Sequence, residues 1–331
     1  MNYQKKHAVF ALITAFAALT ADISRAENFR FDENGHFPFI QISDFQVGST
    51  DYQGSLDTLT NCLASCAERG APELVILTGD QVQGVNDIAS FRTIITPLIE
   101  CLTNCQMKIA YAFGNHDSEG ATDPAAYRQQ QYDAVKQIAG EWFVDFDVPA
   151  LTGTGSGVIP VLASNGDTVG YNLFVMDSGA YSTGGYDGCH ADQIQWYVDN
   201  SGGDTPCLWF QHIIVPEGAA SIFASPARAI GSRPETPYPT ADSAYNDNEH
   251  TLPPLVDGGS RRNLYDVWRK IGNLRGAYFG HDHKNYSDGT DENGIRIGYT
   301  KTLSVQSYSD GDPGFRYFHL NEDGTYRTEI R

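Results

Sequence analysis

Seven polar residues follow short apolar runs of the chain, and their types are those that bind metal ions and transfer protons. Four of the nine histidines belong to this set. A lone histidine after a strand is usually a hydrogen-bonded structural residue, whereas His, Asp and Asn recurring at several strand ends favour a metal site. The seven residues are Asp44, Asp80, Asn115, His116, His212, His281 and His283.

This combination of side chains predicts hydrolytic chemistry. Carboxylate oxygen, amide oxygen and imidazole nitrogen suit hard or borderline divalent cations. Two such ions about 3.5–4 Å apart can share a carboxylate, activate a water between them and stabilise both oxygens of an in-line displacement. A histidine outside the metal shell can protonate a poor leaving group near neutral pH, because imidazolium is a suitable general acid there.

The elements that must position these residues alternate in type and predict one α/β domain. Nearly continuous apolar runs over 36–43, 74–78 and 109–113 are typical of strands buried on both faces. Helical stripes lie between them, formed by Leu56, Leu59 and Leu63, and by Phe91, Ile94, Leu98 and Leu102. Right-handed crossovers make such strands parallel, with both helices on one face. The polar strand ends then share one edge of the sheet, where α/β folds place ligands.

The second half of the chain continues the pattern less regularly. Three further apolar runs precede polar residues, at 171–176, 207–210 and 277–279. Asp177, which follows the first of these, could touch a substrate, but we favour a structural hydrogen-bonding role for it. The segment from about 216 to 260 is rich in Pro, Ala, Ser and Asp, and we expect a long irregular excursion over the site. Strands and a hairpin with its turn at 321–324 are expected after residue 295.

Composition excludes some classes of partner. The 331 residues include 41 acidic and 22 basic side chains, a formal charge of −19. A general nucleic-acid binder needs Lys and Arg to neutralise phosphates, so that function is disfavoured, as is binding to an anionic membrane surface. An anionic substrate would need local positive charge, which bound metal ions can supply. The oligomeric state stays open.

The first residues resemble a secretory leader. Two lysines precede an apolar run over 8–21, and small residues at a peptidase-like site end at Ala26. We therefore expect a cleaved signal peptide over 1–26, a mature domain over 27–331, and a secreted or periplasmic protein that no longer contacts the membrane.

Export affects how the six cysteines are interpreted, because an oxidising compartment allows disulfides. Cys62 and Cys66 share one helix face by spacing, as do Cys101 and Cys105. We predict at least one disulfide between these two helices, with its connectivity left open.

The order and spacing of the polar motifs resemble those of the calcineurin-like metallophosphoesterases, and more closely a secreted, purple-acid-phosphatase-like branch. The resemblance covers roughly residues 37–285. Its motifs are Asp44-Phe45-Gln46, Gly79-Asp80, Gly114-Asn115-His116-Asp117, His212 and Gly280-His281-Asp282-His283. It implies a four-layer α/β/β/α sandwich with the metal site at the C-terminal ends of the strands.

The resemblance also implies a role for each residue. The first of two divalent ions (Mn, Mg, Fe or Zn) would be held by Asp44, Asp80 and His283. The second would be held by Asp80, Asn115, His212 and His281, so that Asp80 bridges the two ions. His116 would act as the general acid, oriented through Asp44. A hydroxide bridging the metals would attack the phosphorus of a small phosphorylated substrate in line with the leaving group.

One position departs from the family pattern, since Gln46 stands where the first motif has histidine. Three interpretations stay open. Gln46 could ligate through its amide oxygen, which favours harder ions than imidazole does. It could instead hold a ligating water, or the first site could be weak.

The expected function is hydrolysis of phosphomonoesters. Three alternatives are a phosphodiesterase, a catalytically weak relative that binds metal or phosphate, and an exported structural protein stabilised by metal. The presence of His116 argues against the last, because a structural metal site needs no proton donor.

Overall fold

Strands of two different sheets precede the polar residues singled out above. The computed structural model describes residues 29–47, 53–66, 70–182, 185–201, 203–215, 229–230, 264–283, 285–286, 288–305 and 312–331. The expected leader over 1–26 and nearly all of the expected excursion over 216–260 lie outside these ranges.

Fifteen strands and five α-helices fall within the described ranges. The strands are β1 (Phe29–Arg30), β2 (His36–Ile42), β3 (Leu74–Thr78), β4 (Lys108–Ala112), β5 (Gly157–Leu162), β6 (Val169–Val175), β7 (Tyr181–Ser182), β8 (Gly185–Tyr186), β9 (Cys207–Phe210), β10 (Ala229–Ile230), β11 (Leu274–Phe279), β12 (Asp288–Thr290), β13 (Arg296–Tyr299), β14 (Arg316–Asn321) and β15 (Tyr326–Ile330). The helices are α1 (Gln53–Cys66), α2 (Ile88–Asn104), α3 (Pro124–Ala139), α4 (Ala191–Asn200) and α5 (Leu264–Ile271), and a 3-10 turn spans Gly140–Trp142. None of these helices is long and apolar enough to cross a membrane.

The first sheet confirms the predicted strand–helix alternation. Its order is β15-β14-β2-β3-β4, and β2, β3 and β4 are parallel. β14 and β15 form the expected antiparallel hairpin and extend the sheet beside β2. Buried side chains of α1 and α2, including Leu59, Phe91 and Leu98, pack with those of the strands in one core cluster. The two helices therefore cover the outer face of this sheet, as expected.

The second sheet has the order β1-β5-β6-β9-β11-β13-β12-β10, with β6, β9, β11 and β13 parallel. Helices α4 and α5 pack on its outer face in a separate cluster that contains Tyr197, Trp209 and Trp268. The inner faces of the two sheets meet in a third cluster. There the Phe39 and Phe318 rings of the first sheet are stacked at 4.6 Å, and the Phe210 ring of the second sheet meets both edge-on. The result is the expected four-layer α/β/β/α sandwich.

The structure shows no disulfide between α1 and α2 within the described residues, so the predicted bond is not observed. For Cys62 and Cys101, the surroundings of the two sulfurs differ. The Cys101 sulfur lies 3.8 Å from the Thr60 hydroxyl oxygen, on one flank of α1. Cys62, two residues further along that helix, lies near Asp312 and Lys301; burial and Asp312 raise the pKa of its thiol. Residues two apart on a helix point in different directions, so spacing alone could not establish this pairing.

Candidate metal centre

The backbone at the candidate site adopts an unusual conformation. Five non-glycine residues in the described ranges have positive φ angles, and four of them belong to the motifs: Asp44 (56°), Gln46 (44°), Asp80 (52°) and His281 (74°). Such angles are uncommon for L-residues, and they persist at functional sites when the surrounding structure enforces them. Each of these residues lies in a sharp turn that follows a strand, and its side chain lies at the edge of the sheet.

Close approach of two turns requires glycine at one position in particular. Gly79 has φ of 98°, and a Cβ atom there would lie 2.2 Å from the backbone nitrogen of Gly114. The Gly-Asp turn after β3 and the Gly-Asn-His turn after β4 are therefore in direct backbone contact. This contact brings Asp80 next to the 114–117 turn.

We call Asp80, Asn115, His212 and His281 the Asp80 cluster. Ligand atoms of Asp80, His212 and His281 lie within 4.8 Å of one another. His212 Nε2 is 3.1 Å from Asp80 Oδ2 and 3.2 Å from Asn115 Oδ1. Asp80, Asn115 and His212 are completely buried.

The hydrogen bonds around the Asp80 cluster direct electron-pair donors toward its centre. The His212 ring contacts the Thr78 carbonyl through Nδ1 (3.0 Å), so a neutral ring donates there and keeps its lone pair on Nε2. The Asn115 side-chain NH₂ donates to the Tyr181 hydroxyl (3.0 Å), which leaves its Oδ1 facing His212. Two oxygens and a nitrogen lone pair thus meet in a buried space. A shared cation satisfies this arrangement, and the donor types fit a divalent metal.

The pKa values of His212 and His281 depend on their burial and on the charged groups packed around them. Burial disfavours the imidazolium form of His212, but Asp80 and Asp44 raise its pKa to about 9. A proton on His212 therefore offsets the negative charge of these carboxylates. Burial and the adjacent His212 lower the pKa of His281 to about 4, which keeps that ring neutral and able to ligate. The Tyr186 ring packs edge-on against His281, with 4.2 Å between the ring centroids.

We call Asp44, Gln46 and His283 the Asp44 cluster. His283 Nε2 lies 3.2 Å from Asp44 Oδ1, and Asp44 also accepts the backbone N–H of His281 at 3.0 Å. Burial opposes ionisation of Asp44, but the attraction of His283 and His212 lowers its pKa overall. Gln46 is buried, and its Nε2 lies 3.5 Å from Asp80 Oδ2, at the outer limit of a hydrogen bond. The Asp44 cluster therefore adjoins the Asp80 cluster through Gln46 and His281.

His116 is the motif residue most accessible to a substrate, with 24% of its side chain exposed. Its backbone N–H donates to Asp80 Oδ1 at 2.8 Å, which fixes its position beside the Asp80 cluster. The expectation that Asp44 orients the ring is corrected by the structure. His116 Nδ1 instead pairs with Glu119 Oε2 at 2.7 Å, because Glu119 lies in the same turn three residues later. Asp44 is occupied by His283 and the backbone of His281.

Asp117 ends the Gly114-Asn115-His116-Asp117 motif, and its role is apparent only in the structure. Its buried carboxylate accepts the backbone N–H groups of Gly114 (2.7 Å), Asp80 (2.8 Å), Gln81 (2.9 Å) and Val82 (3.2 Å). It thereby holds together the two turns that carry Asp80 and Asn115. Burial and the nearby Asp80 raise the pKa of Asp117 to about 6, and these backbone N–H groups oppose the rise.

Arg128 on α3 is a second residue that sequence analysis missed, since a single arginine on a helix carries no motif. Its buried guanidinium donates to the Ser118 hydroxyl (3.0 Å), the Gly114 carbonyl (2.7 Å) and the Asp177 carboxylate. Asp177 also accepts the Thr154 backbone N–H. The expected structural role of Asp177 is thus confirmed, with Arg128 linking it to the turn that carries Asn115.

A pocket of 530 Å³ opens beside Asn115. It is bordered by residues 118–121, the start of α3, residues 152–154 and residues 179–181. A substrate bound at the Asp80 cluster would have space for a further group in this direction.

Known proteins resemble this chain at the level of sequence. The model of the calcineurin-like phosphoesterase family matches residues 37–285, a span that contains both clusters. The chain is 26% identical over 301 residues to a protein of Arabidopsis thaliana named probable inactive purple acid phosphatase 28, covering 79% of this chain and 69% of that protein. It is 23% identical over 193 residues to phosphatase DCR2 of Saccharomyces cerevisiae, covering 53% of this chain but only 33% of that protein.

Similarity to solved structures is more remote. GAP50, described as the anchor in the inner membrane complex of Plasmodium, aligns with a TM-score of 0.49 at 12% identity, over 89% of this chain and 84% of that one. TT1561 of Thermus thermophilus aligns with a TM-score of 0.45 at 10% identity, over 89% and 98% of the two chains. Similarity this low carries no argument about function.

Proposed function

Because the chain belongs to the calcineurin-like phosphoesterase family, we propose that it is a metal-dependent phosphatase that hydrolyses small phosphomonoesters. The observation that carries the proposal is the meeting of Asp80 Oδ2, His212 Nε2 and Asn115 Oδ1 in a buried space, with His281 adjacent. A proton on His212 Nε2 satisfies Asp80 and Asn115 in this arrangement, and a divalent cation can take its place when the neutral ring presents its lone pair there.

In this proposal the two clusters hold two divalent ions. Asp44, Gln46 and His283 would hold the first, Asn115, His212 and His281 the second, and Asp80 would serve both. Bound ions would polarise the phosphoryl oxygens and lower the pKa of a coordinated water. The chain itself excludes bulk water from this region, because the members of both clusters are almost completely buried.

His116 is the proposed general acid. It is accessible from solvent, and its backbone is fixed on Asp80. Its Nδ1 is engaged with the Glu119 carboxylate, so we assign proton donation to Nε2.

The test uses the full chain after export or purification without a chelator. We expect 4-nitrophenyl phosphate to be hydrolysed, exhaustive chelation to abolish the activity, and added Mn²⁺, Mg²⁺ or Zn²⁺ to restore it. Elemental analysis should find metal before chelation and little afterwards. Full activity in protein from which all metal has been removed would contradict the proposal. His36→Ala is a suitable control for variants of His212 and His281, because His36 lies outside both clusters and pairs with Asn321.

A second candidate is a protein that binds metal and phosphate with little turnover. Gln46 favours it, because an amide ligates borderline metals more weakly than imidazole. The name of the Arabidopsis relative, a probable inactive phosphatase, is consistent with it. Metal and inorganic phosphate binding with no hydrolysis of any phosphomonoester or phosphodiester would identify this alternative.

We also propose export, on the basis of residues 1–26. Terminal sequencing of material recovered outside the cytoplasm should begin near Glu27. Intact Met1 in that material would contradict cleavage.

A further inference from the structure

The pocket beside Asn115 has a mostly small and apolar lining on two of its sides. Ala121, Pro124 and Ala125 line it near the start of α3, and Ala180 lines it next to β7. Its 530 Å³ falls within the range of about 300–1,000 Å³ that is typical of small-molecule sites. A ring-sized group fits such a volume.

An exposed aromatic side chain stands at the edge of this pocket. Tyr181 lines it, is 51% exposed, and is stacked on Tyr186 with 5.6 Å between the ring centroids. The Tyr181 hydroxyl also contacts Asn115 of the Asp80 cluster. The Tyr181 side chain therefore extends from the candidate metal centre to the pocket, where a leaving group would lie.

The charges along the lining are predominantly negative. Glu119, Asp177 and Asp187 contribute carboxylates. The Arg128 guanidinium is buried and donates to Asp177, Ser118 and the Gly114 carbonyl, so its charge is paired with that of Asp177. His190 pairs with Asp187 at 3.0 Å. Among the described lining residues, these two contribute the only basic side chains, and each is paired with a carboxylate.

We propose that this pocket binds the leaving alcohol of the phosphoester and selects uncharged or cationic aromatic alcohols over anionic ones. The proposal rests on the proposed phosphatase function and specifies its substrate class. A carboxylate or second phosphate on the leaving group would face a lining whose basic groups, Arg128 and His190, are each paired with a carboxylate and which also carries Glu119, so the lining offers it no excess positive charge. An aromatic ring would pack against Tyr181 and the alanines.

A panel of substrates that share one ring tests the charge preference. Phenyl phosphate, 4-(aminomethyl)phenyl phosphate and 4-carboxyphenyl phosphate differ mainly in one charge. We expect kcat/KM to be at least about tenfold lower for the carboxylate than for the other two, from repulsion at a few ångströms near the protein surface. Equal values, or a preference for the carboxylate, would overturn the proposal.

Paired variants on α3 test the location. Ala125 lines the pocket, whereas its exposed neighbour Ala126 does not. Ala125→Trp should lower kcat/KM for phenyl phosphate several-fold, and Ala126→Trp should leave it unchanged. Ala125→Lys should improve the relative use of 4-carboxyphenyl phosphate, and Ala126→Lys should not. Equal effects at the two positions would overturn the assignment of the pocket.

A binding measurement separates failure of this proposal from failure of the proposed function. If no phosphoester is hydrolysed, the phosphatase proposal fails, but binding of phenol, 4-hydroxybenzylamine and 4-hydroxybenzoate can still be compared by calorimetry or ligand-observed NMR. Binding of the first two that Ala125→Trp weakens and Ala126→Trp does not would support the pocket without catalysis. Absence of binding, or preferred binding of 4-hydroxybenzoate, would contradict it.

Discussion

The Asp80 cluster and the Asp44 cluster lie side by side, but their side chains are held differently. In the Asp80 cluster, Asn115 and His212 are each fixed by a hydrogen bond on the side away from the centre, to Tyr181 and to the Thr78 carbonyl. In the Asp44 cluster, Asp44 pairs with His283 and accepts the His281 backbone N–H, while the Gln46 amide has a 3.5 Å contact with Asp80, itself a candidate ligand.

The difference indicates how far each cluster is organised for a cation. Groups that hydrogen-bond to metal ligands, here called outer partners, fix the orientation of those ligands and contribute substantially to metal affinity. The Asp80 cluster combines two imidazoles with an amide held at 3.0 Å by Tyr181, whereas the Asp44 cluster has one imidazole and an amide held at 3.5 Å by Asp80. We therefore expect the Asp80 cluster to bind metal more tightly, and five substitutions, two of them paired, test this difference.

Asp80→Asn should have the largest effect, because Asp80 serves both clusters. Loss of the anionic ligand removes several kcal/mol of charge stabilisation, so we expect kcat to fall by about 10³-fold or more and metal content to fall at both clusters. Rates at saturating Mn²⁺ and elemental analysis measure both quantities. Asp57→Asn, at an exposed position on α1, is the control. An Asp80→Asn protein that keeps two metals and normal activity would exclude the shared role.

Much of the fold and of the site was predictable from the sequence, because local signals coincide there with tertiary ones. The apolar run Leu74–Thr78 is the observed β3, and the run Cys207–Phe210 is the observed β9. Both are central strands buried on two faces, so their composition leaves little choice of structure. Gly79 and Asp80 follow β3, His212 follows β9, and these residues were among those that identified the site.

Other features depend on contacts that local patterns do not encode. The partner of His116 is Glu119, and no spacing rule distinguishes it from Asp44 as the orienting carboxylate. The role of Arg128 arises only when α3 packs against the turn carrying Gly114. The direction of Cys62 relative to Cys101 depends on how α1 and α2 are rotated about their axes. In each case the packing of distant elements decides the contact.

A paired substitution in the two clusters should give the next largest effect. His212→Ala removes a direct ligand from the Asp80 cluster. Loss of a group that only hydrogen-bonds to a ligand weakens metal binding by about 10–100-fold, so we expect loss of the ligand itself to weaken it at least about 100-fold. His283→Ala should weaken the Asp44 cluster and leave one tightly bound metal. Metal titrations followed by calorimetry distinguish the two results. If His283→Ala removes the tighter metal, the order of the clusters is reversed.

Gln46→His should produce a smaller gain, confined to the Asp44 cluster. Neutral imidazole binds borderline ions more strongly than an amide oxygen, so we expect the weaker metal to bind about tenfold more tightly and to support half-maximal activity at a lower concentration. Gln83→His places a histidine at an exposed position nearby and serves as the control. Tighter metal binding with loss of activity would indicate that Gln46 adapts the site to a harder ion or a particular substrate. No change in affinity or rate would place Gln46 outside the metal site.

Tyr181→Phe should have the smallest effect, and it tests whether outer partners matter for the Asp80 cluster. The substitution keeps the ring but removes the hydroxyl that accepts a hydrogen bond from the Asn115 side chain. Without that acceptor, the amide can rotate and turn its NH₂ group toward His212, which would remove Asn115 Oδ1 from the cluster. Tyr181 is half exposed, so water can replace part of the lost interaction. A single neutral hydrogen bond contributes about 0.5–1.5 kcal/mol, which corresponds to about a two- to tenfold weaker affinity for the tighter metal. The weaker metal should be unaffected, because Tyr181 has no contact with the Asp44 cluster in the described part of the chain. Equal weakening of both metals would show that Tyr181 acts on the whole site, and no weakening would show that Asn115 is oriented without it.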